Sequence, residues 1–242
     1  MTQPVVTVPF TGDPEADELI NDLTGHPHAF LFAALVDRQM PAKRAWMVPY
    51  LLRDRVGSFE IEDLAALDEL QWVRLMREPT PAHRFPEVMA KVLCRAVGRV
   101  MTVYGSDASR IWAATPSSAA LVRRFLEFHG SGPKIATMAA NILVRNFHVP
   151  VSDHRCIDIS ADAQVARVMA RLGFVEGGSK PEVVIYAARD LNPDFPGIFD
   201  LALWDLGRSI CRPLAPLCAS CRLADFCNYA RSRKPTPPSH RC

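Results

Sequence analysis

The sequence predicts an all-α protein. Apolar residues recur at helical spacing along most of the chain, and the clean alternation of apolar and polar residues that marks a half-buried strand is absent. Proline stands at the start of many of these stretches and glycine at the end, which is the order that helices prefer. The chain has 242 residues, of which 49% are hydrophobic, so it can bury a sizeable core. We therefore expect about ten helices in one large domain or two smaller ones.

The N-terminal half begins with a polar helix and continues with apolar ones. Asp13-Pro14 starts the first helix and Gly25 is expected to end it, as Gly57 and Gly105 are expected to end two later helices. The predicted helical stretches are, in order, PEADELINDLTG, AFLFAALVDRQM, PAKRAWMVPYLLRDRVG, two shorter ones near 61–67 and 68–77, FPEVMAKVLCRAVGRVMTVYG, and ASRIWAAT.

The C-terminal half carries the same start and stop signals. Ser117 or Ser118 can cap the helix SAALVRRFLEF, and Pro133 opens PKIATMAANILVRNF. Ser160 is expected to be the N-cap of ADAQVARVMARLG, which Gly173 ends. The last two predicted helices are PEVVIYAARDLN and PGIFDLALWDLGRSIC.

Charge and composition limit the classes of function. The formal net charge of +2 is too small to indicate nucleic-acid binding by the whole surface, so a DNA-binding surface would have to be a local patch. No window approaches the roughly 18 uninterrupted apolar residues of a membrane span, and the N-terminus shows no secretory signal. We expect a cytoplasmic protein with no membrane partner. The basic, proline-rich stretch 231–242 is expected to be a disordered tail.

Four cysteines near the C-terminus form a compact pattern that is typical of metal ligands. Cys211, Cys218, Cys221 and Cys227 are spaced Cys-x6-Cys-x2-Cys-x5-Cys. Soft thiolate ligands select iron–sulfur clusters or zinc, whereas two disulfides would require an oxidising compartment. Zinc ribbons usually carry two separate Cys-x2-Cys pairs, and this loop has only one. The spacing therefore favours a four-iron, four-sulfur (4Fe–4S) cluster, with zinc or unligated cysteines as the alternatives.

A glycine turn between two predicted helices is the second candidate site. Gly130, Ser131 and Gly132 precede Pro133-Lys134, where a helix is expected to begin. Two glycines allow close approach of a backbone, and the N–H groups at a helix start can bind a phosphate without reading sequence. An ordinary turn between two helices would use glycine in the same way.

Together these motifs resemble the helix-hairpin-helix DNA glycosylases of the endonuclease III class. The cysteine spacing is similar to the 4Fe–4S loop at the C-terminus of that family. Phe128–Lys134 resembles the family's Leu-Pro-Gly-x-Gly-x-Lys hairpin, with Phe128 in place of Leu and His129 in place of Pro. Ser160–Val168 resembles its Val-Asp-x-His-Val-x-Arg-Val segment. The motifs occur in the family's order, and the resemblance covers the chain from about residue 28 to 227.

The resemblance implies two catalytic residues. Lys134 matches the lysine that attacks the sugar C1′ and forms a Schiff base, and Asp162 matches the catalytic aspartate, which can stabilise positive charge on the sugar. The alternatives are non-catalytic. Lys134 would be a surface lysine near phosphate, and Asp162 would be an acid that only satisfies a helix dipole. Gln164 replaces the family's usual His. Because the stretch from Lys134 to Asp162 is longer than the family usually shows, Asp153 and Asp158 are rival candidates.

The resemblance also implies residues that contact DNA. Asp37–Met40 resembles the family's Leu-Leu-Ser-x-Gln segment, whose glutamine helps to fill the gap left by an everted base. Gln39 is the match and Arg38 lies beside it, with a solvated helix end as the alternative. The cluster would position basic loop residues such as Arg212 and Arg222 near phosphate.

The implied architecture is two helical domains with DNA in the cleft between them. A six-helix domain with the hairpin would span 28–145, and a cluster domain would combine 1–27 with 146–242. The implied activity is removal of a damaged or mismatched base from double-stranded DNA by a bacterial, monomeric enzyme that also cuts the strand. The first alternative is a glycosylase without strand cleavage, acting on uracil, mismatched thymine or an alkylated base with water activated by Asp162. The second is a non-catalytic iron–sulfur DNA-binding or redox protein.

Overall fold

The computed structural model describes residues 7–233, and every regular element within that range is helical. The prediction of an all-α fold is confirmed. The α-helices are α1 (Pro14–Asn21), α2 (Pro27–Val36), α3 (Ala42–Trp46), α4 (Val48–Val56), α5 (Ile61–Ala65), α6 (Glu69–Arg77), α7 (Pro86–Tyr104), α8 (Ser118–Leu126), α9 (Pro133–Arg145), α10 (Ala163–Leu172), α11 (Pro181–Leu191), α12 (Asp200–Ser209) and α13 (Asn228–Ser232). Short 3-10 helices are Ala108–Ile111, Pro196–Phe199 and Cys218–Ser220.

The chain divides into two compact units, Met1–Ser152 and Asp153–Cys242. Helix α1 packs on α2 and α4 of the first unit and buries Leu19 and Ile20. The sequence prediction instead joined residues 1–27 to the C-terminal part of the chain. The difference arises because the apolar face of α1 is covered by its neighbours in sequence. Of the predicted tail, residues 234–242 lie outside the described residues.

Helix α2 is the centre of the first unit. All of its residues are buried, and it contacts α1, α3, α4, α7 and α9. A helix that is apolar on every side needs such an enclosure, because no face of it can meet water without cost. Helices α6 and α7 pack on each other, as do α8 and α9. The enclosed α2 and the α8–α9 pair therefore support the segment after Val36 and the turn before Pro133.

Several helix ends differ from the predicted ones. Gly57, Gly105 and Gly173 end their helices in left-handed backbone, as expected. The stretch predicted as one helix from 41 to 57 is two, because Pro49 has no N–H to bond back to the α3 carbonyls and a new helix starts at Val48. The predicted helix ASRIWAAT forms only the short 3-10 helix Ala108–Ile111.

The second unit is built on α10, which packs against α11, α12 and α13. Its core holds Ile159, Val165, Val168, Met169, Val184, Ala188 and Leu203. In neither unit, among the residues that the structure describes, is a helix long and apolar enough to cross a membrane.

Candidate functional site

The glycine turn joins α8 to α9 and is pinned by its own backbone. Gly130 has a φ of +79°, a left-handed conformation that favours glycine. The N–H of Ser131 donates to the carbonyl of Phe128 at 3.0 Å. Gly132 is the N-cap of α9, and Pro133 follows in the first turn. The turn thus presents the positive end of a helix dipole next to an exposed loop, which is the arrangement that binds phosphate groups.

Basic side chains of the first unit gather at this turn. The Arg38 guanidinium would lie 3.5 Å from a Cβ built on Gly130. Arg95 Nη1 lies 3.0 Å from Nδ1 of His129. Burial, together with the positive charges of Arg95, Lys91 and Arg38, lowers the pKa of His129, so its ring is neutral at neutral pH. These side chains form a local basic patch, which is what a DNA-binding surface needs in a protein of small net charge.

Lys134 lies in the first turn of α9, and its side chain is exposed. Its position two residues after Gly132 lets the amine reach a ligand held at the turn. An amine there can neutralise a phosphate or, when it is unprotonated, attack an electrophilic carbon.

The segment after α2 is not helical, although the sequence predicted helix up to Met40. The helix ends at Val36, and Gln39 adopts a left-handed backbone with a φ of +53° and an exposed side chain. Arg38 turns back, and its Nη2 donates to the carbonyl of Leu35 at 2.5 Å. The segment therefore displays Gln39 outward while it directs Arg38 toward Gly130.

Asp162 is the N-cap of α10 in the second unit. Its Oδ1 accepts hydrogen bonds from the N–H groups of Gln164 at 2.9 Å and Val165 at 3.0 Å. The expected cap, Ser160, is wrong, because its N–H donates at 2.5 Å to Oδ1 of Asp200 and the helix starts two residues later. Both capping bonds use the same oxygen of Asp162. Its Oδ2 takes no part in the cap and can serve in chemistry.

The rival aspartates have other partners. Both oxygens of Asp158 accept from Arg189, at 2.7 Å from Nε and 2.8 Å from Nη2, and the side chain is 12% exposed. Oδ1 of Asp153 accepts from the N–H of Arg155 at 3.1 Å. This ion pair between a half-buried arginine and a largely buried carboxylate gives Asp158 a structural role in the longer segment that precedes Asp162.

That longer segment is folded against its own unit. The carbonyl of Ile157 accepts from the N–H of Gly197 at 2.8 Å, and the ring of His154 lies 4.7 Å from that of Phe195. These contacts and the Asp158 ion pair tie residues 154–158 to the end of α11 and the 3-10 helix that follows. The segment that precedes Asp162 is therefore held in place by contacts within its own unit.

The four cysteines of the C-terminal loop line one small cavity. The cavity is closed by Arg171, Ile210, Pro216, Ala224, Tyr229 and Ala230, and none of the four cysteines is in a disulfide. Four unbridged thiols around one small cavity fit a thiolate-held metal centre. Within residues 7–233, no three His, Cys, Asp or Glu side chains converge on the position of a single metal ion.

Two arginines of α10 hold the cysteine loop in place. Arg167 donates to the carbonyls of Gly207 at 2.8 Å and Cys211 at 3.0 Å. Arg171 donates to the carbonyls of Arg212 and Pro213, both at 2.8 Å, and its Nη1 lies 3.3 Å from Sγ of Cys211. The sequence analysis assigned no role to Arg171. Its spacing of four residues from Arg167 puts both on one helix face, which is the signal that could have found it.

Gln164, which replaces the family's usual His, takes part in a local contact. Its Oε1 accepts a hydrogen bond from Arg167, the same arginine that holds Cys211.

The loop residues expected near phosphate, Arg212 and Arg222, are both exposed. Arg212 Nε donates to the carbonyl of Ser209 at 2.9 Å.

The sequence matches known proteins over part of its length. It is 36% identical over 76 residues to endonuclease III of Thermotoga maritima, covering 31% of this chain and 35% of that protein. It is 29% identical over 125 residues to chloroplastic endonuclease III homolog 2 of Arabidopsis thaliana, covering 49% of this chain and 30% of that protein. The chain thus spans about a third of the length of these curated relatives. No family model matches it.

The fold matches solved structures over most of the chain. A non-covalent endonuclease III–DNA complex aligns with a TM-score of 0.63 and 19% identity, over 91% of this chain and 95% of the other. A thermostable thymine-DNA glycosylase aligns with a TM-score of 0.59 and 17% identity, over 90% and 96%. The chain therefore shares the fold of these glycosylase structures, and part of its sequence is similar to endonuclease III.

Proposed function

We propose that this protein is a DNA N-glycosylase of base-excision repair with an associated lyase activity at the resulting abasic site. It flips a damaged base out of double-stranded DNA, removes it and cleaves the strand. The observation that carries the proposal is the basic glycine turn at the start of α9 with the exposed Lys134 two residues after its last glycine. Among the structural neighbours is endonuclease III trapped as a covalent intermediate with DNA, which shares the fold at 19% identity.

Lys134 and Asp162 divide the chemistry. The unprotonated amine of Lys134 attacks the sugar C1′, the C1′–N bond breaks, and the base leaves with the bonding electrons. The attached nitrogen then loses a proton, and its lone pair forms a C1′=N iminium as the C1′–O4′ bond breaks and O4′ takes up a proton. Loss of a proton from C2′ then expels the 3′ phosphate by β-elimination. Asp162 stabilises the positive charge that develops on the sugar, and Oδ2, which the helix cap does not use, is available for this.

Contacts to DNA come from the basic patch and from the segment after α2. The turn Gly130-Ser131-Gly132 binds a backbone phosphate, and Arg38 adds positive charge beside it. Gln39 fills the space that the everted base leaves. The partner is double-stranded DNA with a damaged or mismatched base, bound by a monomer in the bacterial cytoplasm.

Cys211, Cys218, Cys221 and Cys227 hold a 4Fe–4S cluster. The cluster is a structural and electrostatic element that organises the loop, including the exposed Arg212 and Arg222 near phosphate. The contact of Arg171 with Sγ of Cys211 supports this assignment, because a guanidinium beside a thiolate stabilises its negative charge.

A glycosylase without strand cleavage is the second candidate. His129 and Gln164 stand where the family pattern has Pro and His, and a thymine-DNA glycosylase is among the structural neighbours. In that mechanism Oδ2 of Asp162 would take a proton from an attacking water, and Lys134 would contact phosphate only.

The experiment separates the two candidates with three variants. Duplexes that each carry one lesion (an oxidised pyrimidine, uracil, mismatched thymine or an alkylated base) are scored with and without alkaline cleavage, and borohydride is added to trap an imine. Lys134→Gln should abolish both the adduct and base release. If it still releases the base and loses only strand cleavage, water is the nucleophile.

The aspartate is tested with a matched pair. Asp162→Asn keeps a good N-cap and removes the charge, so base release should fall by roughly a hundredfold or more while Tm and DNA affinity stay unchanged. Asp162→Ala also removes the cap and should lower stability by about 1 kcal/mol. Full activity of Asp162→Asn would favour a non-catalytic protein instead.

A further inference from the structure

His83 is buried between the end of α2 and the start of α7. It is 1% exposed. Its Nδ1 accepts a hydrogen bond at 3.0 Å from the N–H of Phe85, the N-cap of α7. Because Nδ1 is an acceptor, the proton of the neutral ring lies on Nε2. Nε2 donates to two carbonyls of the segment after α2, those of Val36 at 3.1 Å and Arg38 at 3.2 Å.

The bond to the Arg38 carbonyl fixes the peptide that joins Arg38 to Gln39. Gln39 stands in left-handed backbone, a conformation that costs a non-glycine residue about 1 kcal/mol and persists only where the surroundings hold it. Trp46 supports the start of the same segment, since its Nε1 donates to Asp37 Oδ2 at 3.1 Å. Of these two side-chain supports, only that of His83 reaches the peptide next to Gln39.

The ring keeps this pattern because it stays neutral. Burial, with the positive charges of Arg38 and Arg44, lowers the pKa of His83. A proton on Nδ1 would set one N–H donor against another, that of Phe85, and break their hydrogen bond. The neutral ring with its proton on Nε2 is therefore the form that bridges the two segments.

We propose that His83 is a positioning residue that holds Gln39 in its displayed conformation and so sets the preference for DNA with a missing base over intact duplex. The inference rests on the proposed function, in which Gln39 fills the gap in the base stack. His83 touches no DNA in this role. Its effect passes through the Arg38–Gln39 peptide.

The test uses two substitutions that each keep one half of the bridge. His83→Gln places an amide N–H near the position of Nε2 and can still donate to the two carbonyls. His83→Asn can accept from the N–H of Phe85 but is too short to reach the carbonyls. Affinity is measured for a duplex with one tetrahydrofuran abasic analogue and for the intact duplex of the same sequence, and the ratio of the two Kd values is compared.

The wild type should prefer the abasic duplex, and His83→Gln should keep most of that preference. In His83→Asn the ratio of the two Kd values should fall about tenfold, while binding to intact DNA stays unchanged. Gln39→Ala should lose a similar factor. The double variant His83→Asn/Gln39→Ala should lose no more than either single one, because both act on one contact.

Two results would overturn the inference alone. One is a double variant whose loss is the product of the single losses, and the other is a His83→Asn variant that weakens both duplexes equally. A wild type with no preference for the abasic duplex would overturn the proposed function and the inference with it.

Discussion

Single side chains in this protein serve stability and proposed chemistry together. Asp162 caps α10 through one oxygen and leaves the other outside the cap. The sequence analysis expected Ser160 as the cap, since serine and aspartate both cap helices well. The N–H of Ser160 instead bonds to Asp200, a residue 40 positions away, and no local signal in the sequence marks that contact.

His28 should make the first unit sensitive to acid. Its Nε2 contacts the carbonyl of Phe59 at 2.7 Å, and burial lowers its pKa from 6.5 to about 4. Between these values the unfolded chain binds a proton that the folded chain does not. The free energy of unfolding should therefore fall as pH drops through this window, by up to about 3 kcal/mol.

The acid sensitivity is measured by denaturant unfolding at about pH 7 and about pH 4.5, followed by tryptophan fluorescence. His28→Gln, which cannot take up the proton, should lose less stability between the two pH values than the wild type. Equal losses in the two proteins would mean that other groups cause the effect.

At the scale of elements, the hairpin offers a clean test of phosphate binding. A Cβ on Gly132 meets no atom within 4 Å, and its φ of −115° suits any residue. Gly132→Asp should fold normally, yet its charge should weaken binding of damaged and intact duplexes alike by about tenfold, since a backbone contact carries no sequence information. The matched Gly132→Asn should bind nearly as the wild type. An effect on one lesion only would assign the turn to the base pocket.

The contact between α10 and α12 depends on one small residue. A Cβ on Gly207 would lie 2.9 Å from Cβ of Gln164 and 3.1 Å from its carbonyl oxygen. Gly207→Ala should therefore cost about 1–3 kcal/mol and lower Tm by several degrees, although alanine favours helix. Gly177→Ala is the control, because no atom lies within 4 Å of its Cβ position. A rise in Tm for Gly207→Ala would show that helix propensity wins.

At the scale of the whole molecule, the metal content is the plainest test. The protein prepared without oxygen should contain about four iron atoms per chain. Cys221→Ser should lose iron and stability together, because the loop loses a ligand of its organising centre. Stoichiometric zinc without iron would overturn the cluster assignment.

The sequence predicted the helical architecture because helical periodicity and the glycine stops at Gly57, Gly105 and Gly173 are local signals. Short motifs likewise indicated three candidate sites, the hairpin, the aspartate and the four cysteines, in that order along the chain. It could not predict the two-unit grouping of α1 or the pairing of Asp158 with Arg189, since both depend on residues distant in sequence. The bridge made by His83 likewise joins residues 45 and 47 positions apart.

Helix α10 has a consequence for how the protein matures in the cell. Asp162 caps its start, and Arg171, one residue from its end, donates to the loop that carries the four cysteines, about 15 Å away along the axis. Under the proposed cluster assignment, a chain made during iron shortage would lack the centre that orders this loop, and the end of α10 would lose its partners. The proposed activity is then expected to follow iron supply through folding of this helix, so that newly made chains become competent only after cluster assembly.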